Sequence, residues 1–342
     1  MSPDFRAQSE FPIFLSSPNH HNFYQQNHMK ALFNRGTGLI IIEARNSNPN
    51  GDPDQESDPR ILDADGRGVI SPVSYKRKLR DIVSANGDAF ALAAEQLKLT
   101  DGDQPNDYGI LESRGRRRDE IKNMNADTFK KAFWDARVFG NTFLESLKEK
   151  DDSGESEDTV KEKKGKTAKG DQRDLSHFIS TGAVQFGVGI SIARVEIDRM
   201  TLTNKSGVEE GKDRGMAPLG FRVVRHGLYA MPFFVNPAIA DKTGMTQKDL
   251  ALLQFLIPYA YTQTSSAIRP FINVLHAWYA EHKSPLGSCP DSFLVDALTP
   301  KVKSGVKEPL SLDDYKIPTK ENVPAEVLQR VADIHDLCNP DS

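Results

Sequence analysis

Cysteine is nearly absent from this chain. Cys289 and Cys338 are the only two, far apart and in no CxxC pair, so neither a zinc knuckle nor a disulfide framework is encoded. That usage fits a reduced, cytoplasmic setting. Long apolar runs are also missing: Leu39-Ile40-Ile41-Ile42 is short, and Gln254 interrupts the stretch from Ala251 to Tyr261. Neither approaches the ~18 residues a membrane span needs, so no membrane partner is expected. The N-terminus shows no basic region followed by a long apolar stretch, so no secretory leader is expected either. Histidines are few and badly spaced for metal: His276 and His282 do not stand at i, i+4, and His226 falls inside a strand pattern, so each reads as structural. No GxSxG elbow, phosphate-binding Walker loop or GxGxxG turn occurs, and the aromatic signature of simple RNA-recognition domains is lacking. The net charge of −4 excludes a uniformly basic coat. It leaves room for a local basic stripe, which is all that nucleic-acid binding requires.

What is present is a core. Hydrophobic residues make up 38% of 342, and the 24 glycines bring the apolar share to about 45%, ordinary for a globular protein. At ~150 residues per domain this length suggests two domains, or one large domain with insertions. Residues 1–34 are polar and read as a mobile extension, with Met29 an alternative start. Gly38 to Ala44 is apolar on both faces, as a central strand should be. It runs into Arg45-Asn46-Ser47-Asn48-Pro49-Asn50-Gly51-Asp52-Pro53-Asp54, where prolines and Asn-Gly forbid regular structure. Ser71 and Pro72 then start a helix over about 72–84, with Tyr75, Leu79, Ile82 and Val83 on one face and Lys76, Arg77 and Arg80 on the other, Lys78 flanking. A second helical stretch covers about 126–136.

Residues 148–174 are almost all charged, Gly, Ser or Thr and read as a disordered insertion. Thr181 to Ile197 is the best strand signal, with Val184, Phe186, Val188, Ile190 and Ile192 alternating onto one face. Residues 203–220 read as a loop, and Phe221 to Val235 as another long strand. Thr246 to Asp249 resembles a capping box that opens a helix ended by Pro258. Strand, loop, helix, strands, helix fits an α+β sheet of ferredoxin-like type, decorated by insertions.

Three constellations could carry chemistry. The 46–54 loop and the helix after it combine short amides, backbone N–H groups, a positive helix end and a basic face, which reads either as a phosphate cradle or as a solvated surface. The small residues facing out of 183–193 suit close approach of a ligand, or simple packing and a bulge. Asp52, Asp54, Glu56 and Asp58 alternate like a calcium loop, but Ser57 and Asp63 stand where Gly and Glu are needed.

Several segments together resemble one family. Asn46-x-Asn48-Pro49-Asn50-Gly51-Asp52-Pro53-Asp54, Pro59-Arg60 and Ile70-Ser71-x-Val73-x-x-Lys76-Arg77-Lys78-Leu79-Arg80 are similar to the opening of the backbone subunit of CRISPR type I Cascade complexes. The nearest branch is the Csd/Csh group, type I-C-like, of the seventh Cas family. Asp135-x-Arg137-x-Phe139-Gly140, Gly182-Ala183-Val184-Gln185, Gly227-Leu228-Tyr229, Thr243-Gly244 and Asp249-Leu250-Ala251-Leu252-Leu253 follow in the family's order. The resemblance covers about 38–290. Ala183 replaces the family's Pro, and 148–174 is longer than the pattern leads one to expect.

This resemblance implies a non-catalytic, hand-shaped subunit of RAMP type: an RRM-like palm over 35–300 with finger and thumb insertions, followed by a C-terminal segment, 301–342. It implies no cofactor and no metal. The implied partners are the guide RNA (crRNA), the target DNA strand paired to it, other copies of the chain, the small, large and crRNA-end-capping Cascade subunits, and a recruited helicase-nuclease. Asn46, Asn48, Asn50, Lys76, Arg77, Lys78 and Arg80 would grip guide phosphates, Arg60 and Arg137 would add charge-assisted contacts, and Gln185 would meet RNA at the sheet. Residues 203–220 are the candidate thumb, with Met216 as its wedge, and 148–174 is the rival. Two alternatives stay open: a metal-dependent RNA-cleaving subunit using Asp52 or Asp54, and a structural protein that assembles without RNA.

Overall fold

Strand β1, Gly36–Ser47, is apolar on both faces because it is covered on both. Ile40, Ile42 and Ala44 point into one cluster with Tyr75, Leu79, Leu253 and Leu256. Leu39 and Ile41 point into another with Leu294, Leu298, Tyr315 and Ile334. The computed structural model describes residues 33–85, 87–101, 107–113, 121, 124–141, 180–203 and 218–339. The chain divides into Met1–Ala31 and Leu32–Ser342, and every described residue belongs to the second unit. The 148–174 insertion, Met216, residues 204–217 of the candidate thumb and all but the end of the 1–34 extension lie outside the described residues.

Seven further strands complete one sheet: β2 Arg67–Ile70, β3 Val184–Phe186, β4 Gly189–Arg194, β5 Ile197–Thr203, β6 Pro218–Val235, β7 Ile272–His282 and β8 Val331–Asp336. Their order is β8-β7-β1-β6-β4-β2, with β3 and β5 also on β6. β1 is antiparallel to both β6 and β7. One face carries α1, Pro72–Ala85, and α4, Gln247–Leu256; among the helices between them in the chain are α2, Ala126–Ala132, and α3, Trp134–Phe139. The other face is covered near β1 by α5, Asp291–Leu298, and the segment after it.

The helix starts obey local chemistry. The Ser71 hydroxyl accepts the Ser74 N–H at 3.2 Å, and Thr246 and Asp249 form a reciprocal capping box. The expected 126–136 helix is broken at Phe133, whose extended backbone (φ −118°, ψ 105°) redirects the chain so that Trp134 is buried in the main core.

The expected single strand over 181–197 is three strands laid end to end along β6, and its face pattern is corrected. Val184 and Phe186 are buried, but beyond the break at Gly187 and Val188 it is Gly189 and Ser191 that turn inward. Val188 is exposed, and Ile192 packs on the opposite cluster. Pairing shifts by one residue between Phe186↔Phe233 and Ser191↔Tyr229, and a one-residue slip exchanges the two faces. The glycines accommodate neighbours within the sheet. A Cβ on Gly187 would meet Pro232 Cγ at 2.8 Å, and one on Gly189 would meet Met231 Cε at 2.9 Å.

Candidate nucleic-acid interface

β1 delivers the asparagine-rich loop to the start of α1. Asn46 is exposed and left-handed (φ 46°), a conformation that Asn tolerates better than most residues. Asn48 turns inward and donates to the Ser57 and Arg222 carbonyls at 2.8 and 3.0 Å. The Asn50 side-chain oxygen accepts the Ser71 N–H at 2.7 Å, and its amide donates to the Gly51 carbonyl at 3.2 Å. Asn48 and Asn50 therefore brace the loop against the sheet and the helix start, while Asn46 is left at the surface.

A third segment, 264–271, closes on the same loop. The Asn48 N–H donates to the Ile268 carbonyl at 2.8 Å and the Arg45 N–H to the Phe271 carbonyl at 2.9 Å. Arg269 Nε donates to the Asn48 carbonyl at 3.0 Å. Arg45 lies over the exposed Phe271 ring, 5.5 Å from its centre. Lys78 donates to the Thr264 hydroxyl at 3.3 Å and sits 4.9 Å from the Tyr261 ring centre. Burial, then the Arg269 charge, lower the Lys78 ammonium to about 8. Among the described residues none of Arg45, Lys78 and Arg269 has a carboxylate partner. Lys78 and Arg269 thus act on one another, and Arg45 adjoins the same 264–271 segment through Phe271.

The other basic residues are committed differently. Lys76 is half-buried, 5.9 Å from the Phe139 ring centre, and burial, then Arg80, lower its pKa. Arg77 pairs with Asp81 at 2.7 Å at the surface, and Arg60 with the half-buried Asp52 at 3.3 Å. Gln185 is exposed and donates to the Gly182 carbonyl at 2.8 Å. The expectation of an exposed Arg80 is corrected: it is 4% exposed, bonded to Asp135 at 2.9 Å and to Glu112 at 3.0 Å. Arg137 is likewise inside, 1% exposed. It holds Asp249 bidentately at 3.0 and 2.8 Å and donates to the carbonyls of Lys130, Lys131 and Asp107. The cause is tertiary: Asp135 and the 111–112 segment, whose N–H groups also bind Asp135, cover the side of α1 that helical periodicity leaves open. The loop acids are held by arginines as well. Arg199 and Arg222 both reach Asp58, and Arg222 also pairs with Glu56. Among the described residues no group of three His, Cys, Asp or Glu side chains stands close enough to hold a metal ion.

The sequence segments singled out above are mated in space. Arg137 from one grips Asp249 from another, and Gly140 (φ 78°) lies so close to Ser180 and Gly182 that neither Gly140 nor Gly182 has room for a side chain. Comparison with known proteins gives this arrangement its family. The profile of CRISPR-associated protein Cas7 matches residues 34–320. The chain belongs to the Cas7 family. A curated relative, CRISPR-associated protein Cas7 of Haloferax volcanii, is 26% identical over 230 residues, which are 65% of this chain and 63% of the relative. The chain thus spans less than two thirds of that relative's length. Among solved structures, a chain of a "CRISPR RNA-guided surveillance complex, pre-nicking" aligns with TM-score 0.41 at 15% identity, covering 76% of this chain and 80% of that one. A chain of a "CRISPR RNA-guided surveillance complex" aligns with TM-score 0.35 at 14% identity, covering 75% and 72%.

Sequence reasoning passed over Arg45, Thr264, Arg269 and Phe271 as site residues. Arg45 carried a signal, since it stands between a buried strand and the asparagine run. Arg269 carried none, because it reaches the loop from a remote part of the chain.

Proposed function

We propose that this Cas7-family chain is a guide-RNA-binding backbone subunit that oligomerises along the crRNA in a class 1 CRISPR interference complex and presents the guide for pairing with target DNA, without chemistry of its own. The observation that carries this reading is that Arg45, Lys78 and Arg269, none with a carboxylate in salt-bridge contact among the described residues, line the asparagine-rich loop and the segment that closes on it. Such a group neutralises backbone phosphates and leaves sequence to be read by base pairing. Asn46, Arg60, Lys76, Arg77 and Gln185 extend the contact, while Asn48, Asn50, Arg80 and Arg137 hold the frame behind it. The palm is ferredoxin-like: the order β7-β1-β6-β4, with α1 and α4 on one face, supports this description. The branch is the Csd/Csh, type I-C-like one, the setting is cytoplasmic, and the remaining Cascade subunits and a helicase-nuclease are the partners.

The test is co-purification with a repeat–spacer transcript. Wild type with its partner subunits should elute as large assemblies with high absorbance at 260 nm, and Arg45→Glu/Arg269→Glu should elute without RNA. In direct binding, each lost phosphate contact should flatten the slope of log K against log salt by roughly 0.7. An RNA-free wild type in the presence of transcript and partners would sink the reading.

A further inference from the structure

We propose that Phe271, with Arg45 beside it, is a stacking platform for one nucleobase of the guide strand. Assigning the base to the guide rests on the proposed function; the platform itself is a feature of the surface. Phe271 stands directly before β7 and is 50% exposed. It belongs to none of the three hydrophobic clusters, although Ile272 next to it is buried in the main one.

A lone exposed apolar side chain needs no explanation. This one is set apart by how firmly its backbone is held. The Arg45 N–H donates to the Phe271 carbonyl at 2.9 Å, and the Phe271 N–H donates to the Ser47 hydroxyl at 3.0 Å. That hydroxyl in turn donates to the Arg45 carbonyl at 2.9 Å. Ser47 is fully buried, so the three bonds form a closed ring that is shielded from water. They fix Arg45 and Phe271 relative to one another, and Pro270, with its locked φ, fixes the approach of the chain. The guanidinium lies over the Phe271 ring, 5.5 Å from its centre. An apolar ring is thus held in place at the surface without serving the core. Its order is established before any ligand arrives, which lowers the cost of binding one.

The charge around the ring selects the ligand. From Leu250 to Ala280 the sequence contains no Asp or Glu. Arg269, two residues before Phe271, donates to the Asn48 carbonyl and contacts no carboxylate among the described residues. Glu43, the acid nearest to Arg45 along β1, is buried and faces His226 at 3.4 Å. Asp52, Glu56 and Asp58 are each held by an arginine. A flat apolar ring between two such cations suits a polymer in which flat π-faced groups alternate with negative charges, which is single-stranded nucleic acid. Stacking tolerates any base, because every base has a π-face. A base inside a continuous helix has both faces covered, so the platform takes one that has left the stack. The Arg45 guanidinium beside the ring then meets the phosphate of the same strand.

The experiment measures guide affinity of the full chain with its partner subunits at several salt concentrations. Phe271→Ala and Phe271→Leu should each weaken binding roughly five- to hundredfold, the range that a lost base–aromatic stack gives. The slope of log K against log salt should stay that of wild type, because a stack releases no counterions. Phe271→Trp should bind like wild type, and urea melts of all three should match it. A guide carrying one abasic nucleotide, moved position by position, locates the seated base. At that position wild type should weaken by the same factor, while Phe271→Ala should weaken no further. Phe271→Leu binding as tightly as wild type, or abasic guides that weaken both proteins equally at every position, would overturn the platform alone and leave the guide-RNA reading standing. If the complex binds no guide, single-stranded DNA is the second probe. Affinity for it that depends on Phe271 would keep the platform and overturn the guide-RNA reading, and no such dependence would overturn both.

Discussion

Arg137 and Arg269 are the same residue type in two regions of one fold, and their neighbours have given them opposite work. Arg137 lies beneath α4 and is saturated by Asp249 and three carbonyls. Arg269 lies beside the β1 loop and meets a carbonyl, with no carboxylate among the described residues. α1 repeats the contrast along its own length: Arg80 is paired inside, whereas Lys78, two residues earlier, is left with a hydroxyl and a ring. What separates the buried arginines Arg80 and Arg137 from Lys78 and Arg269, proposed to bind, is whether the fold has brought a carboxylate into contact with them. Exposure alone does not decide, since Lys78 is itself largely buried.

The contrast can be broken experimentally. The largest effect is expected at Asp249, which serves both Arg137 and the α4 capping box. Asp249→Ala should cost about 3–5 kcal/mol, because it strands a buried guanidinium, and urea melts read this directly. Arg80→Ala should follow at about 3 kcal/mol, since it leaves the buried Asp135 with only its two backbone donors. If either variant melts like wild type, the arginines on the helix side are not structural.

Arg45→Glu and Arg269→Glu should do the reverse. The expected outcome is a stability change within about 0.5 kcal/mol and at least a tenfold loss of guide affinity, about 1.4 kcal/mol, in filter binding at fixed salt. A large loss of stability without a loss of affinity would put these residues with Arg137.

The smallest and most diagnostic effect is the pH dependence of Lys78. Its folded pKa, about 8, lies below the ordinary 10.5, so the unfolded chain binds more protons between those values and stability rises with pH across that window. Binding runs the other way. Phosphate favours the ammonium, so guide affinity should be flat below about pH 7 and fall severalfold by pH 9, approaching the roughly tenfold drop in the charged fraction. Lys78→Arg should abolish that slope. A wild-type profile that stays level would remove Lys78 from the interface.

Much of this was legible in the sequence because it is local. A run apolar on both faces became the central strand, Ser71 and Thr246 became caps, and Pro258 stands just past the end of α4. The order of the elements also followed, since each motif carries its own periodicity. The face pattern of 184–192 did not follow. A β-bulge is set by pairing with β6, and alternation read from one strand cannot see its partner slip.

The same limit applies to charge. The sequence by itself determined which residues are basic, where the chain turns, and the family to which its ordered motifs point. Only the tertiary structure decided that Arg80 and Arg137 are inside and that Arg269 reaches the asparagine-rich loop. Periodicity is a property of neighbours in the chain. Ion pairing and burial belong to neighbours in space, and for Arg137 and Asp249 those lie 112 residues apart.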